Sequence, residues 1–336
     1  MANLKDIAKM VGVNTSTVSR ALNGRKGISE KKRNEILRVA KEINYIPDQT
    51  ARALVGKGTK TIGVIIQEIS SEYYTKLLGY IEEQLRNNGY LMTMGFTNSN
   101  FNVEKQYINN FTRRKVDGII LAGYMFNELE EYLDSMHTVR ETPMALIQTD
   151  IEYPNNDYIM VDEKYGFDMV VKHLKELGHK KIGIIFDELS EIIRMQSIND
   201  AIIGNGLKFD QRYVKSGKER FELGGYLRMK EILKQSDLPT AIIASYDHLA
   251  IGAMKAIYEA NLKIPEDISI VGYDDIRECE YLFPPLSTVS PPIKTMTEIG
   301  IKLLMGKIEN KEKSVIQHIS LKPELVLRET TAKPPV

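Results

Sequence analysis

Residues 12–24 read GVNTSTVSRALNG, and this stretch decides what the first sixty residues are. Gly12 suits the left-handed turn that ends a helix, Val13 drops into the turn, and Asn14 has the side chain to cap a second helix from Thr15 to Leu22. On that helix Val18 and Leu22 fall on one face, and Thr15, Ser16, Ser19 and Arg20 fall on or near the other. Upstream, Asn3 is placed to cap a first helix whose Leu4, Ile7, Ala8 and Val11 recur at i, i+3, i+4, i+7, with Asp6 in the first turn where the helix dipole favours a carboxylate. Downstream, Ser29 opens a third helix with Ile36, Val39, Ala40 and Ile43 inward and Lys31, Lys32, Arg33, Arg38 and Lys41 mostly outward. Two short helices joined by a glycine turn form a helix-turn-helix, whose second helix enters the DNA major groove with its N-terminal residues toward base edges. An Arg there can hold guanine through two hydrogen bonds.

The charge balance agrees once it is divided. The 336 residues hold 45 Lys and Arg against 45 Asp and Glu, and a neutral total argues against a phosphate-binding surface. Residues 1–60, however, carry 13 basic and 5 acidic side chains, and the remaining 276 carry 32 and 40. A head with eight excess positive charges precedes a body with eight excess negative ones. At 43% hydrophobic and 27% charged, the chain reads as globular with two or three domains, which excludes collagenous and disordered classes. The single Cys279 makes no intramolecular disulfide and no multi-cysteine zinc site. No apolar run approaches the ~20 residues of a membrane span, and MANLKDIAKM has no signal-peptide core, so a cytoplasmic protein without membrane contact is expected.

From Thr61 onward short apolar runs alternate with helical patterns. IGVII (62–66), LMTMGF (91–96), DGIILAG (117–123), MALIQ (144–148), YIMVD (158–162), KIGIIF (181–186), TAIIAS (240–245) and ISIVGYD (268–274) are strand-like. Such alternation predicts parallel sheets covered by helices on both faces. One helix, over 74–88, carries Leu78, Ile81 and Leu85 on one face and stops at Gly89.

GVNTSTVSRALNG, followed by INYIPDQTARALVGKGTKTIGVII (43–66), resembles the lactose repressor (LacI/GalR) family of bacterial transcription regulators. DGIILAG, HLKELGHKKIGII (173–185), PTAIIASYDHLAIGAMKAI (239–257), IPEDISIVGYDDI (264–276) and PPLSTV (284–289) continue the likeness in the family's order. The resemblance implies an all-α helix-turn-helix DNA-binding domain plus an α/β periplasmic-binding-protein-like body of two doubly wound parallel-sheet subdomains. It implies three chain crossings, placed near 159–162, 288–291 and 319–322. The divisions are then 1–46 for the DNA-binding domain, 47–60 for hinge and linker, 61–160 with 290–319 for the first subdomain, and 161–289 with 320–331 for the second. The strand SVIQHI (314–319) and the helix around 294–308 return to the first subdomain.

Carried over position by position, the family's DNA contacts fall on Thr15 and Ser16, which occupy its operator-selecting positions, on Arg20, and on Thr17, Ser19 and Asn23. For Thr17 and Ser19 local hydrogen bonding to the helix weighs equally. Asn14 stands for the usual Ser, one N-cap for another, and Asp48 for the usual Asn. The segment 47–57 is too short to hold a helix alone. In the family it folds on operator DNA, with Leu54 matching the residue wedged into the minor groove, Ala51 allowing close approach, and Arg52 contacting phosphate or groove.

Ligands of open α/β sheets bind beyond the carboxyl ends of the strands. Walking those ends brings out Tyr73, Tyr74, Tyr124, Gln148, Arg194, Tyr246 and Asp274 as effector-binding candidates. In the family the residues matching Arg194 and Asp274 hold ligand hydroxyls or a charged group. Aromatic faces with a few carboxylates, an amide and a guanidinium suit a sugar or sugar derivative. Tyr246 and Gln148 depart from common family residues and admit a nucleoside-like ligand instead. Neighbouring Asp247 is read as capping the helix near His248, Asp275 as capping the next helix, and Tyr273 as core. No HExxH, GxGxxG, GxxxxGK[ST] or GxSxG string occurs, so no catalytic residue, metal or cofactor is expected. The tail RETTAKPPV lacks leucine heptads, so the resemblance implies a homodimer, paired through Tyr74–Leu85 and Ile276–Pro285. The resulting expectation is a dimeric repressor of a pseudo-palindromic operator under small-molecule control. The competing reading is a small-molecule-binding protein or hydrolase on the same body; a hydrolase would consume its ligand.

Overall fold

A computed structural model describes residues 3–22, 27–45, 58–123, 128–135, 142–148, 153, 155–309 and 315–335. It divides into two units, 1–59 and 60–336, each with its own core.

The first unit holds helices α1 (Leu4–Val11), α2 (Thr15–Leu22) and α3 (Glu30–Glu42). Asn3 Oδ1 accepts from the Lys5 and Asp6 amides, and Asp6 Oδ2 accepts from the Asn3 amide, a reciprocal capping box at the start of α1. Gly12 ends α1 at φ 69°, where a Cβ would be strained. Ile7, Ala8, Val11, Val18, Ala21, Ile36, Val39 and Ala40 close a three-helix core. Leu22 and Ile43, expected inside, are only partly buried; Ala21 faces inward beside Val18 because the face they share is turned by one residue from the expected one. Lys32 also departs from expectation. Its Nζ donates to the Val11 carbonyl at 2.8 Å and pairs with Glu35 at 3.0 Å, so it stitches α3 to the open end of α1.

The second unit begins with β1 (Thr61–Ile66), α4 (Glu72–Asn87), β2 (Leu91–Phe96), α5 (Phe101–Arg113), β3 (Gly118–Ala122), α6 (Glu128–Ser135), β4 (Met144–Ile147) and β5 (Asp157–Val161). It continues with α7 (Glu163–Leu177), β6 (Ile182–Ile185), α8 (Glu188–Gly204), β7 (Val214–Lys215), α9 (Phe221–Ile232), β8 (Ala241–Ala244), α10 (Asp247–Glu259), β9 (Ser269–Tyr273) and β10 (Ser287–Ser290). Last come α11 (Ile293–Glu309), β11 (His318–Leu321) and β12 (Glu324–Val326). One sheet has the order β11-β5-β4-β3-β1-β2 and the other β12-β10-β9-β8-β6-β7. All pairings are parallel except β10 with β12. β1, β3 and β4 are buried almost end to end, as strands covered on both faces must be.

The chain passes between the sheets three times, after β5, after β10 and after β11. Val161 still belongs to the first sheet, Ser290 to the second, and Ser320 and Leu321 to the first. The return strand is His318–Leu321 rather than SVIQHI, and Val315 is 84% exposed. The α4 helix starts two residues early and buries Tyr73, Tyr74, Leu77, Ile81 and Leu85, with Leu78 only at the margin. β7 and β12, of two and three residues, are too short to leave a hydrophobic period, and β10, Ser287–Ser290, has Val289 as its one apolar residue. No helix among the described residues is long and apolar enough to cross a membrane.

The closest helix pair of the body is α9 against α10. A Cβ on Gly252 would lie 1.8 Å from the Glu222 carbonyl oxygen, and one on Gly225 would lie 1.9 Å from that of Leu249, so the helices touch backbone to backbone. Gly252→Ala must push them apart. It is expected to cost about 1–3 kcal/mol or more, read as a lowered calorimetric unfolding temperature; an unshifted transition would show that the pair can separate freely.

Candidate functional sites: a reading helix and an interdomain cleft

Helix α2 is held by its cap. Asn14 Oδ1 accepts from the Thr17 amide at 2.8 Å, the Ser16 hydroxyl at 2.7 Å and the Thr17 hydroxyl at 2.8 Å. Val18 and Ala21 anchor one face in the core. Thr15, Ser16 and Arg20 are exposed on the other, with Thr17 and Ser19 half-buried. The Thr17 hydroxyl proton therefore serves the cap, and a partner can use only its oxygen as acceptor. Asn23, Ala51, Arg52 and Leu54 lie outside the described residues, as does Tyr124.

The body contains a cleft at the carboxyl ends of both sheets, lined from β1 by Gln67, Glu68 and Ser71, from α4 by Tyr73 and Tyr74, and from the second sheet by Asp187, Leu189, Ser190, Arg194, Arg220, Phe221, Tyr246 and Asp274. It is the crevice beside β1 and β3 in one sheet and β6 and β8 in the other, where strand order reverses. The sequence-expected Tyr73, Tyr74, Arg194, Tyr246 and Asp274 meet there. Gln148 does not line it. It is buried beyond β4 at φ 62°, in the left-handed region, and its Oε1 has no hydrogen-bond partner among the described residues.

Arg194, on α8, is 4% exposed. Its Nε and Nη2 donate to Glu163 Oε1 at 3.1 and 3.0 Å, its Nη1 donates to the Ser245 carbonyl, and its guanidinium lies 4.2 Å over the Tyr273 ring. Asp274 Oδ1 stands 3.7 Å from Arg194 Nη2. Burial raises the Asp274 carboxyl to about 8 against the opposing pull of Arg194, so it carries a proton at neutral pH. Asp274 sits at φ 111° and Asp275 at φ 51°, backbone that a non-glycine residue adopts only when its surroundings impose it. The Tyr73 hydroxyl, buried beside them, has no hydrogen-bond partner among the described residues.

Asp187 is the other node. It caps α8 through a reciprocal pair with Ser190, and its Oδ2 accepts from the Tyr246 hydroxyl at 2.6 Å and from Arg220 Nε at 3.1 Å. Burial opposes its ionisation, but the hydrogen bonds from Tyr246 and Ser190 and the charge of Arg220 prevail and hold its pKa low. Tyr246 thus spends its hydroxyl on Asp187, and its ring meets Phe221 edge to face at 6.2 Å. Arg220 also grips Glu68 with both terminal nitrogens, at 3.0 and 2.7 Å, joining the two subdomains. Glu68, Asp187, Arg220 and Phe221 were not singled out from sequence. Glu68 and Asp187 lie two residues beyond the ends of β1 and β6 and were within reach of that walk, whereas Arg220 and Phe221 come after the two-residue β7.

Asp247, expected to cap α10, is instead that helix's first residue. Fully buried, it accepts from the Thr288 hydroxyl at 2.6 Å and the Ile276 amide at 3.0 Å. Asp275 pairs with Arg328 at 2.8 Å rather than capping a helix. Among the described residues no group of three His, Cys, Asp or Glu side chains could hold a metal ion.

Residues 3–48 match the model of bacterial regulatory proteins, lacI family, and residues 171–331 match that of the periplasmic binding protein-like domain. The chain is 31% identical to the ribose operon repressor of Haemophilus influenzae over 98% of both chains. The chain belongs to the lacI family. It is likewise 31% identical to the transcriptional repressor PurR of H. influenzae strain PittEE, again over 98% of each. Among solved structures, a Lac repressor dimer bound to operator and an anti-inducer superposes with a TM-score of 0.89 at 25% identity, covering 98% of this chain and 99% of that one. A family member from Enterococcus faecium with bound ribose gives 0.70 at 28% identity over 81% of this chain and 99% of the other. This family member is a DNA-binding transcriptional regulator with a periplasmic-binding-protein-type body.

The cap geometry makes α2 depend on one side chain. Asn14→Ala should cost the head about 1 kcal/mol and Asn14→Ser far less, with faster hydrogen exchange at the Thr17 amide in the alanine variant only. Equal exchange in both would remove Asn14 from the cap.

Proposed function

We propose that the protein is a homodimeric repressor that reads a pseudo-palindromic operator through α2 and a hinge segment and is controlled by a hydroxylated small molecule, a sugar or nucleoside, in the body's cleft. The observation that carries it is the division of α2: Val18 and Ala21 sealed in the core, Thr15, Ser16 and Arg20 presented to solvent. Ser19, Thr17, Asn23, Ala51, Arg52 and Leu54 complete the DNA contacts in this reading, and Tyr73, Tyr74, Arg194, Tyr246 and Asp274 the effector site. The head ends at residue 46 and the linker at 60. The exposed Tyr281 and Phe283, at 73% and 91%, support dimerisation through the 276–285 segment. The relatives' names, a ribose operon repressor and PurR, and the ribose held by one structural neighbour support the ligand class. A regulator of DNA works in the cytoplasm and returns its ligand unchanged, so no catalysis is assigned. Ligand acts by rotating one subdomain against the other, a rigid-body transition of the kind that alters spacing between paired DNA-binding heads.

Arg20→Ala should weaken operator binding by about 1–3 kcal/mol while nonspecific binding falls far less. Fluorescence anisotropy on operator and scrambled duplexes separates the two, and equal losses on both would assign Arg20 to phosphate alone.

A further inference from the structure

The cleft is already tied shut by the protein's own charges. Arg220 directs Nη1 and Nη2 to the two oxygens of Glu68 and Nε to Asp187, the planar fork that matches guanidinium to carboxylate. Glu68 follows β1 of the first subdomain, and Arg220 precedes α9 of the second, so the pair spans the crevice. Only about 50 Å³ of space remains inside, where pockets for small ligands hold roughly 300–1,000 Å³. Any effector therefore has to part Glu68 from Arg220 and take over their hydrogen bonds.

The charge count restricts what can do so. Two guanidiniums, Arg194 and Arg220, face four carboxylates, Glu68, Glu163, Asp187 and Asp274. With Asp274 protonated the cleft still carries one excess negative charge. The donors of Arg194 are engaged by Glu163 and Ser245, and those of Arg220 by Glu68 and Asp187. A phosphate entering this cleft could win Arg220 only by stranding Glu68, 12% exposed, as an unpaired carboxylate beside a second negative charge, which is unfavourable. Hydroxyl groups donate to Glu68 and Asp187 and accept from Arg220 at once, with no charge added.

We propose that the Glu68–Arg220 pair is a latch and charge filter: it makes the effector an uncharged polyhydroxylated molecule and excludes the phosphorylated or carboxylated form of the same compound. This rests on the effector reading above and narrows it. Glu68 acts as a specificity determinant by neutralising Arg220 until a neutral ligand replaces it.

The test uses the full-length protein, with thermal shift and calorimetry. Wild type is titrated with inorganic phosphate, and with neutral sugars and nucleosides each paired with its monophosphate. E68Q, R220Q and the double variant E68Q/R220Q are titrated with phosphate. Expected are no phosphate binding by wild type, a gain of at least about tenfold in E68Q from the removed charge, and loss of that gain in E68Q/R220Q. Neutral compounds should bind wild type at least about tenfold more tightly than their phosphates. Phosphate binding by wild type that vanishes in R220Q, a monophosphate that outbinds its neutral parent, or an E68Q protein that folds yet gains no phosphate site would each overturn the filter. If the phosphate series behaves as expected but no neutral compound binds, the filter stands and the effector reading fails. The wild-type comparison needs no variant, so a misfolded E68Q leaves the proposal open to refutation.

Discussion

The second subdomain is organised around one buried carboxylate. Asp187 is 1% exposed and lies two residues beyond β6, yet it stays ionised because the starts of three helices each supply a donor. Ser190 gives the amide at the start of α8, Tyr246 gives its hydroxyl from the start of α10, and Arg220 gives its guanidinium from the start of α9. A lone charge at such depth would cost several kcal/mol, and this one is tolerable only because its lone pairs are filled. Three helix starts are thereby fixed to one strand end, and Arg220 is left pointing across the crevice at Glu68. Removing any one donor would release more than a contact, since the others take their positions from the same oxygen atoms.

The degree to which this was legible in sequence follows from how far each feature is local. The head was readable almost throughout, because caps, a left-handed glycine and a helical period are encoded within seven or eight residues. Its departures are small: Ala21 in place of Leu22 is a rotation of one residue, within the tolerance of a face defined by two apolar positions, Ile43 is only partly buried at the end of α3, and Lys32 reaches back to the Val11 carbonyl. In the body the four- to six-residue apolar runs revealed the strands, while β7, β10 and β12 had no pattern to show. Tyr73, Arg194 and Asp274 could be placed because aromatic and charged residues at strand ends stand out. Glu68, two residues beyond β1, was within reach of the same reasoning, but Arg220 was not, since in sequence it is indistinguishable from a solvated surface charge. Their meaning lies in a pairing over 152 positions that only the closing of two subdomains creates.

Charge runs through the molecule as a division of tasks. The first sixty residues carry eight excess positive charges and the remainder eight excess negative ones. An acidic body is repelled by the duplex that the basic head attracts. The same acidity continues inward to the cleft, where it is structural: carboxylates outnumber guanidiniums, and each guanidinium is held in place by the carboxylates around it.

A closed cleft also has a thermodynamic consequence. If the unliganded body rests with Glu68 on Arg220, the ligand-accepting form is a minority, and the apparent affinity is the intrinsic affinity multiplied by the open fraction. The strength of the Glu68–Arg220 pair then sets the ligand concentration at which the regulator responds. Arg220 is 32% exposed and Glu68 12%, so the pair is neither a weak surface contact nor a fully desolvated one. That intermediate position suits a switch, because a pair too exposed would leave the cleft open and a pair too buried would keep every ligand out. Substitution at either residue therefore shifts the response threshold together with the contacts that the ligand inherits from the pair.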